Sequence, residues 1–389
     1  QMDLFLLQAI ANELESLLAG HRLGKIVQLN TTDVALDFRL RDGRWLVIST
    51  DPARLALYLS LRQPKQLSDE PRTDTGFVAL MKKYLSSARL ISLDKLGYDR
   101  VVTFDFEAED EDGQLKRRRL IVSLTGRTAN VLLTQDNQVL ARLREGEERK
   151  SPTKAHEENT KKGKETLRDP SCDFVDKSVG YAEPPPPADK LDPFQCSAAQ
   201  LYDLIAAANG EIATAAQKNF IGFTPVYARE LAYRAKLSDP ELALQNLLAD
   251  LFESNPVPAI YSTPTIEELK KEIGRDEFSL TLSPIELRHL FALPQTSFTT
   301  TNESADAYFT LLDDRRRFQA GKQKLVSQFS AKLKKQRMLA VNLERELAGF
   351  SSGEKHQRWG ELLLANLHQA TKAEAGFAVT DFYDEAQAT

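Results

Sequence analysis

Between Asn302 and Phe350 apolar residues recur at Leu311, Phe318, Leu325, Phe329, Leu333, Leu339, Leu343 and Leu347, mostly seven or four positions apart. That period keeps an apolar stripe along one side of a helix, and over this length it predicts one long, coiled-coil-like rod. The rod is also charged with a single sign. Between Arg315 and Arg345 it carries ten Lys or Arg, among them Arg315, Arg316, Arg317, Lys332, Lys334 and Lys335, against one acid, Glu344. The whole chain is acidic, with a formal net charge of -5 and a pI of about 5.8. A basic rod on an acidic protein points to a polyanionic surface such as ribosomal RNA; a solvated helix face is the plainer alternative, although mixed charge would serve that purpose better.

The other regions follow from shifts in pattern. At 389 residues the chain is long enough for two or three domains. Residues 2–145 read as a mostly β domain with two helices. The first helix covers residues 4–19, with Leu7, Ile10, Leu14 and Leu17/Leu18 on one face. A meander follows, turning at Arg41-Asp42-Gly43-Arg44. A second helix is expected to run from residue 75 to Arg89, with four more strands after it. Residues 146–195 are charged and then proline-rich, with too little apolar surface to offset the entropy of ordering, so a flexible insertion and linker are expected. Residues 196–300 read as helices followed by short strands, residues 301–350 as the basic helix, and 351–389 as the start of a following segment. The fold class is therefore α+β.

Several classes of function lack their signatures. Cys172 and Cys196 have neither metal-site spacing nor the pattern of a disulfide scaffold, and the five histidines fall in no ligand spacing, so no metal and no cofactor are expected. There is no Gly-rich phosphate loop and no nucleophile elbow, hence no catalytic residues are assigned. No apolar run is long enough to span a bilayer, and the N-terminus lacks a secretory pattern, which predicts a cytoplasmic protein with no membrane partner.

Three polar spots stand out. Gly97-Tyr98-Asp99-Arg100 is expected where a helix meets a strand, where an exposed Asp99 and Arg100 would face a base edge and a phosphate, or else form a local surface ion pair. Gly126-Arg127-Thr128-Ala129-Asn130 is a turn offering Arg127 and Asn130 for polar contact, or a plain hairpin. Phe220-Ile221-Gly222-Phe223-Thr224-Pro225 has the layout of a helix-hairpin-helix, in which the backbone of Gly222, Phe223 and Thr224 would meet a phosphate, or of an ordinary packed helix pair.

Taken in order, MDLFLLQAIANELESLLAGHRLGKIVQ, GYDR, LIVSLTGRTANVLL, YAEPPPPADKLDP, FIGFTPVYARELAYRA, NESADAYF and QRWGELLLANL resemble the NFACT family, which includes RqcH and NEMF and is also known as fibronectin-binding protein A. The resemblance spans the chain outside the charged insertion. It implies an N-terminal domain similar to formamidopyrimidine-type DNA glycosylases, a helix-hairpin-helix region, and the first arm of a coiled coil. By the same resemblance the chain is an N-terminal fragment lacking the family's C-terminal RNA-binding domain.

The implied role is ribosome-associated quality control without enzymatic chemistry of its own. The protein would bind the large ribosomal subunit holding a stalled peptidyl-tRNA and recruit tRNA, alanyl-tRNA in bacterial members, for untemplated tailing of the nascent chain. The family's tRNA-contacting Asp-Arg pair matches Asp99 and Arg100. A second tRNA-contacting motif, typically Glu-Ile-Met, is replaced here by Ser123-Leu124-Thr125, which removes a carboxylate acceptor. Two alternatives accompany this reading: a fibronectin-binding surface adhesin, and a glycosylase-like DNA-binding protein, for which the N-terminal proline and four-cysteine zinc finger are absent.

Overall fold

A computed structural model of the chain describes residues 2–68, 75–109, 113–144, 187, 189–252, 257–374 and 376–381. Most of the charged insertion, including Cys172, lies outside them. The chain divides into two units, residues 1–314 and 315–389.

The first unit opens on α1 (Leu4–Leu18), whose N-cap, Asp3, accepts the Leu6 N–H at 2.8 Å. Leu7, Ile10, Leu14 and Leu18 are fully buried in the β-sheet core, while Phe5 belongs to a second core made by the helices downstream. One helix thus serves two hydrophobic clusters. Strands β1 (Ile26–Gln28), β2 (Asp33–Asp37), β3 (Trp45–Ser49) and β4 (Ala56–Ser60) form an antiparallel meander in sequence order. The expected turn between β2 and β3 is present, with Gly43 at φ +74°. After the short α2 (Pro64–Leu67) and α3 (Gly76–Leu85), a five-stranded antiparallel sheet runs in order through β5 (Arg89–Leu96), β6 (Val101–Glu109), β7 (Leu115–Ser123), β8 (Asn130–Gln135) and β9 (Gln138–Arg142).

The second helix therefore stops at Leu85 rather than Arg89. Ser87 takes φ +60°, its N–H donates to the Leu23 carbonyl at 3.0 Å, and Leu23 N–H donates back to the Ala88 carbonyl at 2.8 Å. These bonds to a distant segment replace the next helical turn and release residues 89–96 as a strand. Consequently Gly97-Tyr98-Asp99-Arg100 is the β5–β6 hairpin turn, not a helix–strand junction.

Helices α4 (Ala198–Ala207), α5 (Ile212–Asn219), α6 (Pro225–Arg234) and α7 (Pro240–Phe252) pack around Phe220, Phe223, Tyr227, Leu231 and Leu247. A three-stranded sheet follows, built from β10 (Ala259–Thr263), β11 (Ser279–Ser283) and β12 (Gln295–Ser297) with α8 (Ile266–Lys271) between the first two and β10 in the middle. A buried ionic network ties this layer to α6. Glu230 accepts Arg234 Nε at 2.7 Å on one oxygen, and on the other it meets His289 N–H at 3.0 Å and Nδ1 at 2.7 Å. Arg234 also reaches Asp250 at 2.6 Å.

The long helix, α9, spans Thr301–Ala365, 65 residues. Its first turn is bonded to α1 and β4: the Glu13 carboxylate accepts the N–H groups of Thr301 and Asn302 at 2.5 and 2.9 Å, and Asn302 Oδ1 accepts Leu59 N–H at 3.1 Å. Farther on, Arg54 bridges Asp33 at 2.7 Å and Asp313 at 2.8 Å. The second unit consists of the rest of α9, which continues past Phe350, and the hairpin β13 (Thr371–Ala373) and β14 (Gly376–Ala378). The apolar stripe is outward-facing there: Phe329 is 65% and Leu347 68% exposed.

Candidate functional site

Two of the three polar spots meet in the first unit. A cleft of about 570 Å³ is walled on one side by Tyr98, Asp99 and Arg100, on the other by residues 221–226, and includes Met2, Asp3 and Leu4 at the start of α1. Hydrogen bonds fix the first wall. Asp99 Oδ1 accepts the Arg100 N–H at 2.7 Å, the Arg100 guanidinium donates to the Met2 carbonyl at 3.2 Å, and Leu124 N–H donates to the Arg100 carbonyl at 2.8 Å. Asp99 and Arg100 are therefore half-buried rather than exposed, and they are not an ion pair with each other. Lys95 donates to the Gly97 carbonyl, and burial lowers its pKa to about 8 against the opposing pull of Asp99.

The second wall is the α5–α6 turn. Gly222 sits at φ +79°, and a Cβ there would lie 2.7 Å from Leu4 Cδ2 and 3.0 Å from Phe5 Cζ. Glycine is required both for the left-handed backbone and for the approach of the turn to α1. Beside it, Phe223 is buried, so only its backbone is available, and Thr224 Oγ1 is buried without a hydrogen-bond partner. A buried hydroxyl without a partner is uncommon in a folded protein, and this one belongs to a residue on the wall of the cleft. Residues of both signs line the space: Arg100 and Lys190 with Asp3 and Asp99.

Asp3 was not legible as a site residue; its only local signal is that of a helix cap. Burial pushes its pKa up to about 6 from 3.8, although the Leu6 and Phe5 N–H groups and the Tyr227 hydroxyl favour the carboxylate. The folded state thus holds a proton that the unfolded chain has released, and this carboxyl costs stability as pH rises from 3.8 to 6. Asp3→Asn keeps the capping oxygen and removes the titration. Its melting temperature, measured against pH, is expected to gain on the parent protein across that window; parallel curves would contradict the assignment.

The comparisons with known proteins decide the family. The family model described as the NFACT N-terminal and middle domains matches residues 3–155 and 181–389. The chain belongs to the NFACT family. It is 24% identical over 383 residues to the Rqc2 homolog RqcH of Bacillus subtilis, covering 98% of this chain and 61% of that protein. The archaeal Rqc2 homolog aRqcH of Methanocaldococcus jannaschii is 24% identical over 378 residues, 92% of this chain and 49% of the relative. This NFACT chain therefore spans roughly half to three-fifths of such relatives' length. Among solved structures, the fibrinogen-binding protein from Staphylococcus aureus superposes with a TM-score of 0.57 at 19% identity, covering 78% of this chain and 97% of that one. The N-terminal part of the fibronectin/fibrinogen-binding protein from Streptococcus suis gives a TM-score of 0.56 at 20% identity, over 80% and 99%. These two likenesses show a shared mixed α+β fold.

The remaining predicted residues of the NFACT chain are scattered. Leu124 is fully buried, so its side chain belongs to the core and cannot touch a ligand. Ser123 and Thr125 bond to each other at 2.9 Å, and Thr125 to Thr128 at 3.0 Å. Asn130 is a brace: its Nδ2 donates to the Arg144 carbonyl at 2.8 Å and its Oδ1 accepts Arg144 N–H at 2.9 Å. Arg127 is exposed on the turn. None of these five lines the cleft; Leu124 supports it through its bond to Arg100. Arg315, Arg316, Arg317, Lys332, Lys334 and Lys335 all lie on α9 in the second unit, and the last three are exposed. Among the described residues no group of three or more His, Cys, Asp or Glu is placed to hold a metal, and no helix is long and apolar enough to cross a membrane.

Proposed function

We propose that this NFACT chain is the RNA-binding part of a cytoplasmic ribosome-associated quality-control factor, in which the cleft receives unpaired bases of a tRNA. The observation that carries the reading is the convergence of Asp99 and Arg100 with the Gly222-Phe223-Thr224 turn on one space. A carboxylate oxygen, a guanidinium and an orphan hydroxyl supply both acceptor and donors for a base edge and a phosphate. The layout supports an N-terminal domain of the formamidopyrimidine-glycosylase type followed by a helix-hairpin-helix, with the nucleic-acid-facing surface kept and no catalytic group. The RqcH relatives support the setting: a large ribosomal subunit carrying peptidyl-tRNA, to which the basic α9 binds through Lys332, Lys334 and Lys335 as well as Arg315, Arg316 and Arg317. In this setting the ribosome performs the peptidyl transfer that adds an alanine tail. Ser123 and Thr125, without a carboxylate, leave discrimination among tRNAs to the cleft. The fibronectin-binding names of the structural neighbours bring only a fold, and no feature of the cleft favours that reading.

The test is tRNA binding by fluorescence anisotropy. Asp99→Ala with Arg100→Ala is expected to weaken affinity by about tenfold or more, the loss of two charged hydrogen-bonding groups. Because both groups also hold the loop, Asp99→Asn serves as the cleaner variant: it keeps the acceptor for the Arg100 N–H while removing the charge and turning the second oxygen into an N–H₂ donor. Wild-type affinity in both variants would remove the cleft from the function.

A further inference from the structure

The segment that re-enters the fold after the charged insertion is pinned against the cleft. Leu191 N–H donates to the Asn219 carbonyl at 2.7 Å, and Ile221 N–H donates to the Leu191 carbonyl at 3.0 Å, so the strap lies along the turn that forms one wall. Three aromatic rings stand on this side in the open: Tyr98 is 40%, Phe194 55% and Phe252 45% exposed.

They are held in place as a set. The Tyr98 hydroxyl donates to Asp192 at 2.8 Å, and the other Asp192 oxygen accepts the Phe194 N–H at 3.0 Å. Phe194 meets Phe252 edge-on at 4.7 Å, and Phe252 meets Phe5, which lies under Gly222, at 6.0 Å. Single exposed aromatics are ordinary; a set fixed by hydrogen bonds and T-shaped contacts, continuous with a cleft, is not. A T-shaped contact covers one face of one ring and leaves the rest of the pair open, as the exposure of Phe194 and Phe252 shows, and the carboxylate of Asp192 interrupts the apolar surface. An apolar peptide would need a continuous groove, whereas a nucleotide chain needs separate ring faces with cations nearby. Arg100 and Lys190 line the adjoining cleft.

We propose that Tyr98, Phe194 and Phe252 form a stacking shelf for unpaired nucleotides next to those that enter the cleft, with Arg100 and Lys190 against their phosphates. The inference rests on the reading of the cleft as an RNA site, and extends it to Phe194 and Phe252, which lie outside the motifs considered above. It assigns a role to the end of the insertion: carrying Phe194 to the rim.

Bulk deacylated tRNA is the probe, since stacking tolerates any base. Phe194→Ala in the full chain is expected to raise Kd by about five- to 150-fold, the range for losing one stacked base. The dependence of Kd on salt should stay unchanged, because no charge is removed. Phe194→Tyr should bind like the parent. Phe194→Trp should show, relative to the parent, additional emission that is quenched on saturation with tRNA, a signal that a purely structural role would not give. Unchanged affinity in Phe194→Ala, or no quenching of the emission added by Phe194→Trp, overturns the shelf. Quenching by a leucine-rich peptide but not by tRNA would place a protein there and overturn it equally. If Asp99→Ala with Arg100→Ala loses tRNA while Phe194→Ala retains it, the shelf alone fails; if all of them bind like the parent, the RNA reading of the cleft fails as well.

Discussion

Gly222→Ala is expected to destabilise the first unit by about 2–5 kcal/mol. Two terms add: a Cβ in the left-handed region costs about 1–2 kcal/mol, and forcing a methyl into a packed contact about 1–3 kcal/mol. Leu4 Cδ2 and Phe5 Cζ stand 2.7 and 3.0 Å from the added atom; half-buried Leu4 can turn aside, whereas the buried Phe5 ring is held in the second core. Gly210 supplies the control: it has φ +84° but nothing within 4 Å of a Cβ, so Gly210→Ala should show only the smaller, backbone part. Urea unfolding followed by circular dichroism would compare the two. Equal losses would mean that the α5–α6 turn does not rest on α1 as described.

Glu230→Gln should cost about 1–3 kcal/mol, the penalty for leaving buried donors imperfectly satisfied, because Arg234 keeps its pair with Asp250. Glu230 is fully buried, and Arg234 nearly so. The substitution also sets an amide N–H₂ against Arg234 or His289, both of which donate to the carboxylate. Burial alone would raise the Glu230 pKa, but the bonds from His289 and Arg234 prevail and hold it at about 2, below its usual 4.5. The sign follows. A depressed carboxyl pKa contributes stability in full above pH 4.5, and that contribution disappears as pH falls toward 2. The parent protein should therefore lose stability over this range more steeply than Glu230→Gln, in denaturant titrations at a series of pH values. Parallel profiles would assign the acid sensitivity to other carboxyls.

What the sequence made legible was mostly local. The spacing of Leu7, Ile10, Leu14 and Leu18 yields α1 directly, and Asp42-Gly43 marks the turn between β2 and β3. Strand β5 was hidden because the apolar pattern of α3 continues smoothly past Leu85, whereas the break is set by hydrogen bonds to Leu23, more than sixty residues upstream. The same distance effect concealed the burial of Arg100, whose partner is the Met2 carbonyl. Asn130 looked available because turn asparagines usually are; its bonds to Arg144 depend on the pairing of β8 with the chain beyond β9. Neither Asp99-Arg100 nor Gly222-Phe223-Thr224 carries in its own residues any mark that the other is adjacent. The cleft between them exists only through the fold.

Residues 2–5 touch both of the walls described for that cleft: Met2 takes the Arg100 bond, Leu4 and Phe5 receive the Gly222 turn, and the helix they begin is shared by both cores. A jaw needs a hinge, and a helix sunk into both halves denies it one, since opening would tear α1 from one cluster or the other. The cleft is thus a fixed aperture. On the proposed reading, adaptation would then fall to the ligand, and a strand of unstacked bases able to splay one at a time is pliant enough to supply it.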